Sequence, residues 1–245
     1  MSPPATPRGL VFGTAAETYE RFRLGYPDEV VERTLRYVGT PVRTAVEVGA
    51  GTGKATRAFA SRGIAVTAVE PDPDMYSVLE RETLGMPVTP VRSTYEEYDG
   101  PPVDLLYAAS AMHWTDAETR WTHAADLVEP GGAVAVFGTE MRLADDDVRA
   151  DFERARGRFL PDDRYPHEPL EGLAESGLFT DVAEEVLPRH VLVPQREFVG
   201  YLSTVSAYLM LPLAVLPQAL AAVADALPQQ VRVDVTVHLH LARRA

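Results

Sequence analysis

Between residues 44 and 137 the chain alternates short apolar runs with stretches whose apolar residues recur at helical spacing. The runs Thr44–Gly49, Ile64–Glu70, Pro87–Val91, Val103–Ala108 and Ala133–Phe137 read as strands. Between them Ala55–Ser61, Asp72–Arg81 and Asp116–Val128 read as helices, with a Pro130-Gly131-Gly132 turn before the fifth strand. Near-continuous apolar strands suit a sheet covered on both faces, and their alternation with helices is the signature of parallel crossover units.

The flanks differ. Upstream, Glu17–Arg23 forms a short helical candidate, and Asp28 is expected to cap a helix carrying Val30, Val31, Leu35 and Val38 before Gly39 ends it. Beyond residue 140 a charged, irregular stretch contains a predicted helix over Asp146–Phe159, with Asp145–Asp147 as its cap. Leu170–Ser176 predicts a short helix, Val182–Val193 a strand around Pro188, and Arg196–Leu211 and Val215–Ala226 two further helices. In the last segment Val231, Val233, Val235, Val237, Leu239 and Leu241 alternate strictly with polar residues, which predicts one long terminal strand at or near a sheet edge.

Length and composition narrow the class. At 245 residues and 46% hydrophobic content a single domain over 1–245 is expected: N-terminal helices over 1–40, a cofactor-binding half over 41–140, and an acceptor cap with terminal strands over 141–245. A net charge of −13 with no basic patch argues against nucleic acid as a partner. The absence of cysteine excludes a disulfide framework, a thiolate zinc site and a cysteine nucleophile. Prolines within Met1–Gly9 stand where a secretion signal needs an apolar core. The greasiest stretch, Tyr208–Leu227, is broken by Pro212, Pro217 and Asp225. A cytoplasmic protein without a membrane partner is the expectation.

The sharpest chemical signal is Glu47-Val48-Gly49-Ala50-Gly51-Thr52-Gly53-Lys54, at the carboxyl end of the first strand and the start of a helix. Glycines there permit a tight turn and close approach of backbone to a ligand, and the helix start supplies amide donors. Nineteen residues past Gly51 the second strand ends in Glu70, placed to accept hydrogen bonds from ribose hydroxyls. The pattern is E-x-G-x-G-x-G. A dinucleotide fingerprint would need a third glycine where Lys54 stands, so a nucleoside with a zwitterionic tail suits it better than a pyrophosphate.

With these residues, the chain resembles the class I S-adenosylmethionine-dependent methyltransferases over nearly its whole length. The matching pieces are Tyr19-x-x-x-Arg23-x-Gly25-Tyr26-Pro27, Glu47–Gly53, Glu70-Pro71 and Ala108-Ala109-Ser110-Ala111-Met112-His113-Trp114. Tyr201–Tyr208 resembles a segment of the small-molecule branch that includes trans-aconitate methyltransferases. The resemblance implies a Rossmann-like α/β fold with a seven-stranded, mostly parallel sheet, an antiparallel last strand and a helical cap over the acceptor. It implies S-adenosylmethionine as cofactor, with Gly49, Gly51 and Gly53 beneath its methionine and adenosine parts, Glu47 near its amino group and Glu70 on the ribose. Pro71 and Met75 would flank the adenine, Ser93 and Thr94 would approach its edge, Ala108 would lie beside the sulfonium, and Tyr19 and Arg23 would close over the cofactor, Arg23 toward its carboxylate.

Methyl transfer asks the protein mainly to position the acceptor and exclude water, with a base only where the acceptor loses a proton. His113, leaving the fourth strand, is the candidate base; it and Trp114 equally serve as walls of the pocket. Tyr165 and His167 are candidates for a substrate lid, and Tyr201 and Tyr208 for the cap. His238 and His240 share a strand face with no third ligand in view, so no metal is expected. The function expected is methyl transfer, O-directed, to a small apolar or aromatic molecule in specialised metabolism. Carbon or nitrogen methylation, a scaffold or cyclisation catalyst on the same fold, and a nicotinamide-dependent oxidoreductase stay open.

Overall fold

The computed structural model describes residues 15–160 and 172–245. Backbone contacts divide the chain into two compact units. One contains Gly25–Thr139, the described part of His167–Leu187, and Val237–Ala245; the other contains the described parts of Met1–Leu24 and Glu140–Pro166, with Pro188–Thr236.

The larger unit is built on a seven-stranded sheet. In chain order its elements are α2 (Asp28–Val38), β1 (Thr44–Val48), α3 (Lys54–Ala60), β2 (Ala65–Val69), α4 (Pro73–Glu82), β3 (Val88–Val91) and β4 (Val103–Ala109). There follow a 3-10 turn (Met112–Trp114), α5 (Arg120–Asp126), β5 (Val128–Thr139), β7 (Phe179–Leu187) and β10 (Val237–Arg244). The order across the sheet is β3-β2-β1-β4-β5-β10-β7. β1 to β5 run parallel, and β10 enters antiparallel to both β5 and β7. Strand order reverses between β1 and β4, and in sheets of this kind ligands bind outside the carboxyl ends at such a switch point.

Burial follows from the apolar runs. Val46, Leu105, Leu106, Tyr107 and Leu239 are fully buried, and Phe59 of α3 stacks on Tyr107 with ring centres 4.1 Å apart. Truncating a packed aromatic such as Phe59 costs about 3–5 kcal/mol, so this face of the sheet anchors the unit. Asp72 caps α4: its carboxylate accepts from the amides of Asp74 and Met75, ahead of Pro73 in the first turn.

The smaller unit holds α1 (Ala16–Phe22), β6 (Arg142–Leu143), α6 (Asp146–Arg156), β8 (His190–Pro194), α7 (Gln195–Leu202), α8 (Ser206–Leu209), α9 (Leu216–Ala226) and β9 (Gln230–Asp234). Its strands form a separate antiparallel sheet in the order β6-β9-β8.

Several expectations are corrected. The long terminal strand is two strands in two sheets: the Asp234 carboxylate accepts from both the amide and the hydroxyl of Thr236, turning the chain between β9 and β10. Alternation survives the turn because Val231, Val233, Val235, Val237 and Leu239 are all buried. Val182–Val193 likewise splits at Pro188 into β7 and β8, and Arg196–Leu211 into α7 and α8. Asp28 is the first helical residue rather than the cap; Pro27 holds that position and no side chain bonds there. Asp145 takes the cap position of α6 but gives its carboxylate to Arg232 instead of the helix amides. α5 starts four residues late, and β5 begins at Val128, with residues 129–132 looping out of register before Ala133 pairs with Leu105. Residues 172–176 form turns, and the rest of the predicted 170–176 helix lies outside the described residues.

Candidate active site

The glycine segment closes over the carboxyl end of β1 in a backbone that L side chains avoid. Gly49, Gly51 and Gly53 have φ values of 63°, 58° and 85°. Their surroundings differ. A Cβ at Gly49 would stand 2.6 Å from Ala111 Cβ, and one at Gly53 would stand 2.8 Å from Leu79. Among the described residues, a Cβ at Gly51 would meet no atom within 4 Å beyond its two chain neighbours. Gly49 and Gly53 are glycine for the protein's own packing, whereas Gly51 faces a space that the described residues leave open.

Glu70 ties this loop to β2. Its two oxygens accept from the amide of Gly51 at 2.7 Å and the amide of Asp72 at 2.9 Å. Burial raises its pKa to about 7 even though both amide bonds favour the ionised form. Each oxygen keeps a lone pair, so the carboxylate can hold the loop and still accept from a diol. Pro71 follows, half-buried, and Met75 is buried on α4.

Glu47 lies deeper. It is buried, and one oxygen accepts from the hydroxyls of Thr56 in α3 and of Tyr107 in β4, the latter at 3.1 Å. Burial raises its pKa to about 8, against the opposing effect of those two bonds. It braces three elements beneath the glycine loop. Sequence reasoning missed Thr56 and Tyr107; the one signal was a tyrosine within the apolar run of residues 105–109, since a buried phenol needs a partner.

Ala108, fully buried, ends the central run of β4 beside Val48 and Val136. Beyond it, Ser110 holds φ 56° and Ala111 abuts Gly49. His113 and Trp114, both half-buried in the 3-10 turn, have ring centres 4.5 Å apart. Ser93 and Thr94 lie in the loop after β3, where the Ser93 hydroxyl donates to the Thr94 carbonyl and Thr94 Oγ1 accepts from the Glu97 amide. The carboxyl ends of β1, β2 and β4 thus bring Gly49–Gly53, Glu70 and Ala108–Ala111 together.

Tyr19, Arg23, Tyr201 and Tyr208 belong to the smaller unit. The Arg23 guanidinium stands between the rings of Tyr19 and Tyr201, at 5.0 and 4.6 Å, and donates to the hydroxyl and carbonyl of Thr204 at 2.8 and 2.9 Å. Tyr201 accepts from the Met141 amide, and Tyr208 is buried, its phenol pushed up to about 12 chiefly by burial. Both pack in the core of their own unit. Tyr165 and His167 lie outside the described residues. His238 is exposed beside Glu184, and His240 is half-buried. Among the described residues no group of three acids or histidines is placed to hold a metal, and no helix is long and apolar enough to cross a membrane.

Five parallel strands in the order 3-2-1-4-5, an antiparallel strand inserted before the edge, and a glycine loop at the switch point define the fold of the class I methyltransferases. Residues 45–132 match the family described as a methyltransferase domain. Residues 45–132 thus form a methyltransferase domain, on the fold of the class I, S-adenosylmethionine-dependent enzymes. An uncharacterized methyltransferase of Mycobacterium tuberculosis is 37% identical over 160 residues, covering 64% of this chain and 61% of the relative. The alignment thus spans about three fifths of that relative's length. A solved protein described as a type II methyltransferase from Anaeromyxobacter dehalogenans superposes with a TM-score of 0.62 at 26% identity, covering 91% of this chain and 98% of that one. Phosphoethanolamine N-methyltransferase 2 of Haemonchus contortus, solved with S-adenosyl-L-methionine, shares the fold at 16% identity and a TM-score of 0.57, over 99% of this chain and 61% of that one.

Proposed function

We propose that this protein transfers the methyl group of S-adenosylmethionine to an oxygen of a small, largely apolar or aromatic molecule, in the cytoplasm and in specialised metabolism. The observation that carries the cofactor assignment is the open direction at Gly51, on a left-handed loop tethered by the Glu70 carboxylate. Glu70 accepts from the ribose hydroxyls, and the Gly49–Gly53 backbone passes beneath the ligand. Pro71 and Met75 border the adenine, with Ser93 and Thr94 toward its edge. When bound, the cofactor supplies a methyl group already activated on a sulfonium.

What remains for the chain is to hold the acceptor in line and keep water out. His113 stands just beyond β4 and takes the acceptor's proton at a ring nitrogen, with Trp114 as the adjoining wall. The half-buried Trp114 ring beside His113 supports an apolar or aromatic acceptor. Incubating the protein with methyl-labelled S-adenosylmethionine and a panel of phenols, carboxylic acids and amines tests the reading. Label in an oxygen-linked methyl supports it; label only on nitrogen or carbon overturns O-direction; cofactor binding with no transfer across an extract of small metabolites favours a scaffold.

A further inference from the structure

Among the described residues Arg120 is the one buried arginine or lysine. It opens α5, where a helix start disfavours a cation, and a guanidinium withdrawn from water carries a desolvation cost. Burial accordingly pulls its pKa down, opposed chiefly by the charge of Asp116. The side chain's hydrogen bonds go to backbone. Nη2 donates to the Thr115 carbonyl at 2.7 Å, and Nε reaches the Asp116 carbonyl at 3.4 Å. Both carbonyls stand at the exit of the 3-10 turn that carries His113 and Trp114, where Thr115 is the cap. On the other side the Asp116 amide donates to a Glu96 carboxylate oxygen at 2.9 Å, and the buried Tyr95 hydroxyl donates to the Arg120 carbonyl at 2.8 Å. His123 donates a ring nitrogen to the Tyr95 carbonyl at 2.9 Å, and the two rings meet edge to face at 4.7 Å. Arg120 is thus anchored at its backbone by the segment after β3 and bonded through its side chain to the turn after β4.

We propose that Arg120 is a positioning residue for the acceptor: it sets the His113 and Trp114 rings by fixing the carbonyls at the exit of their turn. The proposal rests on the reading that these two side chains face the acceptor. A short 3-10 turn has poor hydrogen-bond geometry of its own. Its bonds run from the Trp114 amide to the Ala111 carbonyl and from the Thr115 hydroxyl to the Met112 carbonyl, at 2.9 and 2.7 Å. The path of the chain beyond Thr115 therefore decides where the rings lie. A guanidinium suits that task, because its donors form a rigid planar fork that addresses two successive carbonyls, whereas a lysine ammonium is a point charge on a flexible stem. In-line transfer tolerates little displacement, and that requirement accounts for a buried charge at this turn.

The test reads the turn directly. The chain has two tryptophans, so the indole N–H signals in NMR spectra are assigned by comparison with Trp121→Phe. Indole order parameters, urea unfolding and calorimetric affinity for S-adenosylhomocysteine are measured for wild type, Arg120→Met and Arg120→Lys. Turnover is measured on the compound of the phenol, carboxylic acid and amine panel that takes the label. Arg120→Met is expected to lower the Trp114 order parameter from about 0.85 to below about 0.6. Trp121, buried against Phe179, should keep its value, and S-adenosylhomocysteine should bind within about twofold of wild type. The kcat should fall about 10- to 100-fold, the cost of a small misplacement. Arg120→Lys should recover part of both the order and the kcat. If Arg120→Met fails to fold, Arg120→Gln takes its place in the comparison. A Trp114 indole as ordered as in wild type would overturn the proposal, whatever happens to stability, and leave Arg120 as a brace for α5. A loosened Trp114 with unchanged kcat would instead remove the reading that His113 and Trp114 face the acceptor.

Discussion

Replacing Glu70 by Gln tests the tether and the ribose contact together. The side chain keeps its shape but loses its charge and one acceptor oxygen. In the structure both oxygens receive backbone amides, Gly51 at 2.7 Å and Asp72 at 2.9 Å. A carboxamide can satisfy one of them and turns an NH2 group toward the other. Leaving a buried amide unpaired costs about 1–3 kcal/mol, less than the stability of an ordinary domain, so the variant stays folded at 25 °C. The ligand loses a charge-assisted bond of about 1.5–3 kcal/mol, a 10- to 100-fold rise in Kd for S-adenosylhomocysteine. Burial holds the Glu70 pKa at about 7, so wild-type affinity should rise with pH through that value as the carboxylate ionises. The carboxamide has no such proton, and the affinity of the Glu70→Gln variant should be flat on this account. Calorimetric titrations of both proteins from pH 6 to pH 8, with urea unfolding without ligand, measure all three effects. A Glu70→Gln protein that binds as tightly as wild type at pH 8 would refute the assignment of this carboxylate to the ligand.

The glycines separate by the same reasoning. Gly51→Ala should cost only about 1 kcal/mol of stability, the strain of a side chain at positive φ, yet abolish S-adenosylhomocysteine binding; Gly49→Ala should destabilise more, because its Cβ collides with Ala111. Glu47, raised to about 8, retains a proton that the unfolded chain releases near 4.5, so stability falls as pH rises across that interval, by up to about 1.4 kcal/mol per unit. Burial lowers the pKa of His240, which acts in the opposite sense at and below 6.5, so urea midpoints from pH 6.5 to 8 isolate the carboxyl groups. Glu47→Gln should flatten that slope, and an unchanged slope would remove Glu47 as its source. Once an acceptor is in hand, His113→Ala should lower kcat about 10²- to 10⁴-fold if the imidazole takes a proton, whereas a change confined to KM would make it a wall.

The sequence made the large unit readable because buried parallel strands and crossover helices write their periodicity directly into the chain. Glycine spacing and the position of Glu70 were local signals of the same kind. What stayed hidden depends on tertiary partners. Alternation from Val231 to Leu241 continues across a change of sheet, since burial on both sides of Thr236 preserves the period while the Asp234 turn redirects the backbone. Glu47 looked like a ligand-facing carboxylate; that Thr56 and Tyr107 meet it depends on α3 and β4 folding onto β1. Arg23 carried a motif but no indication that Thr204, 181 residues away, receives its guanidinium. Ser110 had no special spacing at all; its left-handed backbone and its pairing with Tyr26 exist only once β4, β5 and the N-terminal segment meet.

The central claim is that the crevice at the ends of β1 and β4 binds S-adenosylmethionine. Parallel calorimetric titrations of the purified protein with S-adenosylmethionine, S-adenosylhomocysteine and NADH test it most directly. The account predicts micromolar binding of the first two, lost in Gly51→Ala, and none of NADH. Binding of NADH alone, or S-adenosylhomocysteine binding that survives Gly51→Ala unchanged, would contradict it.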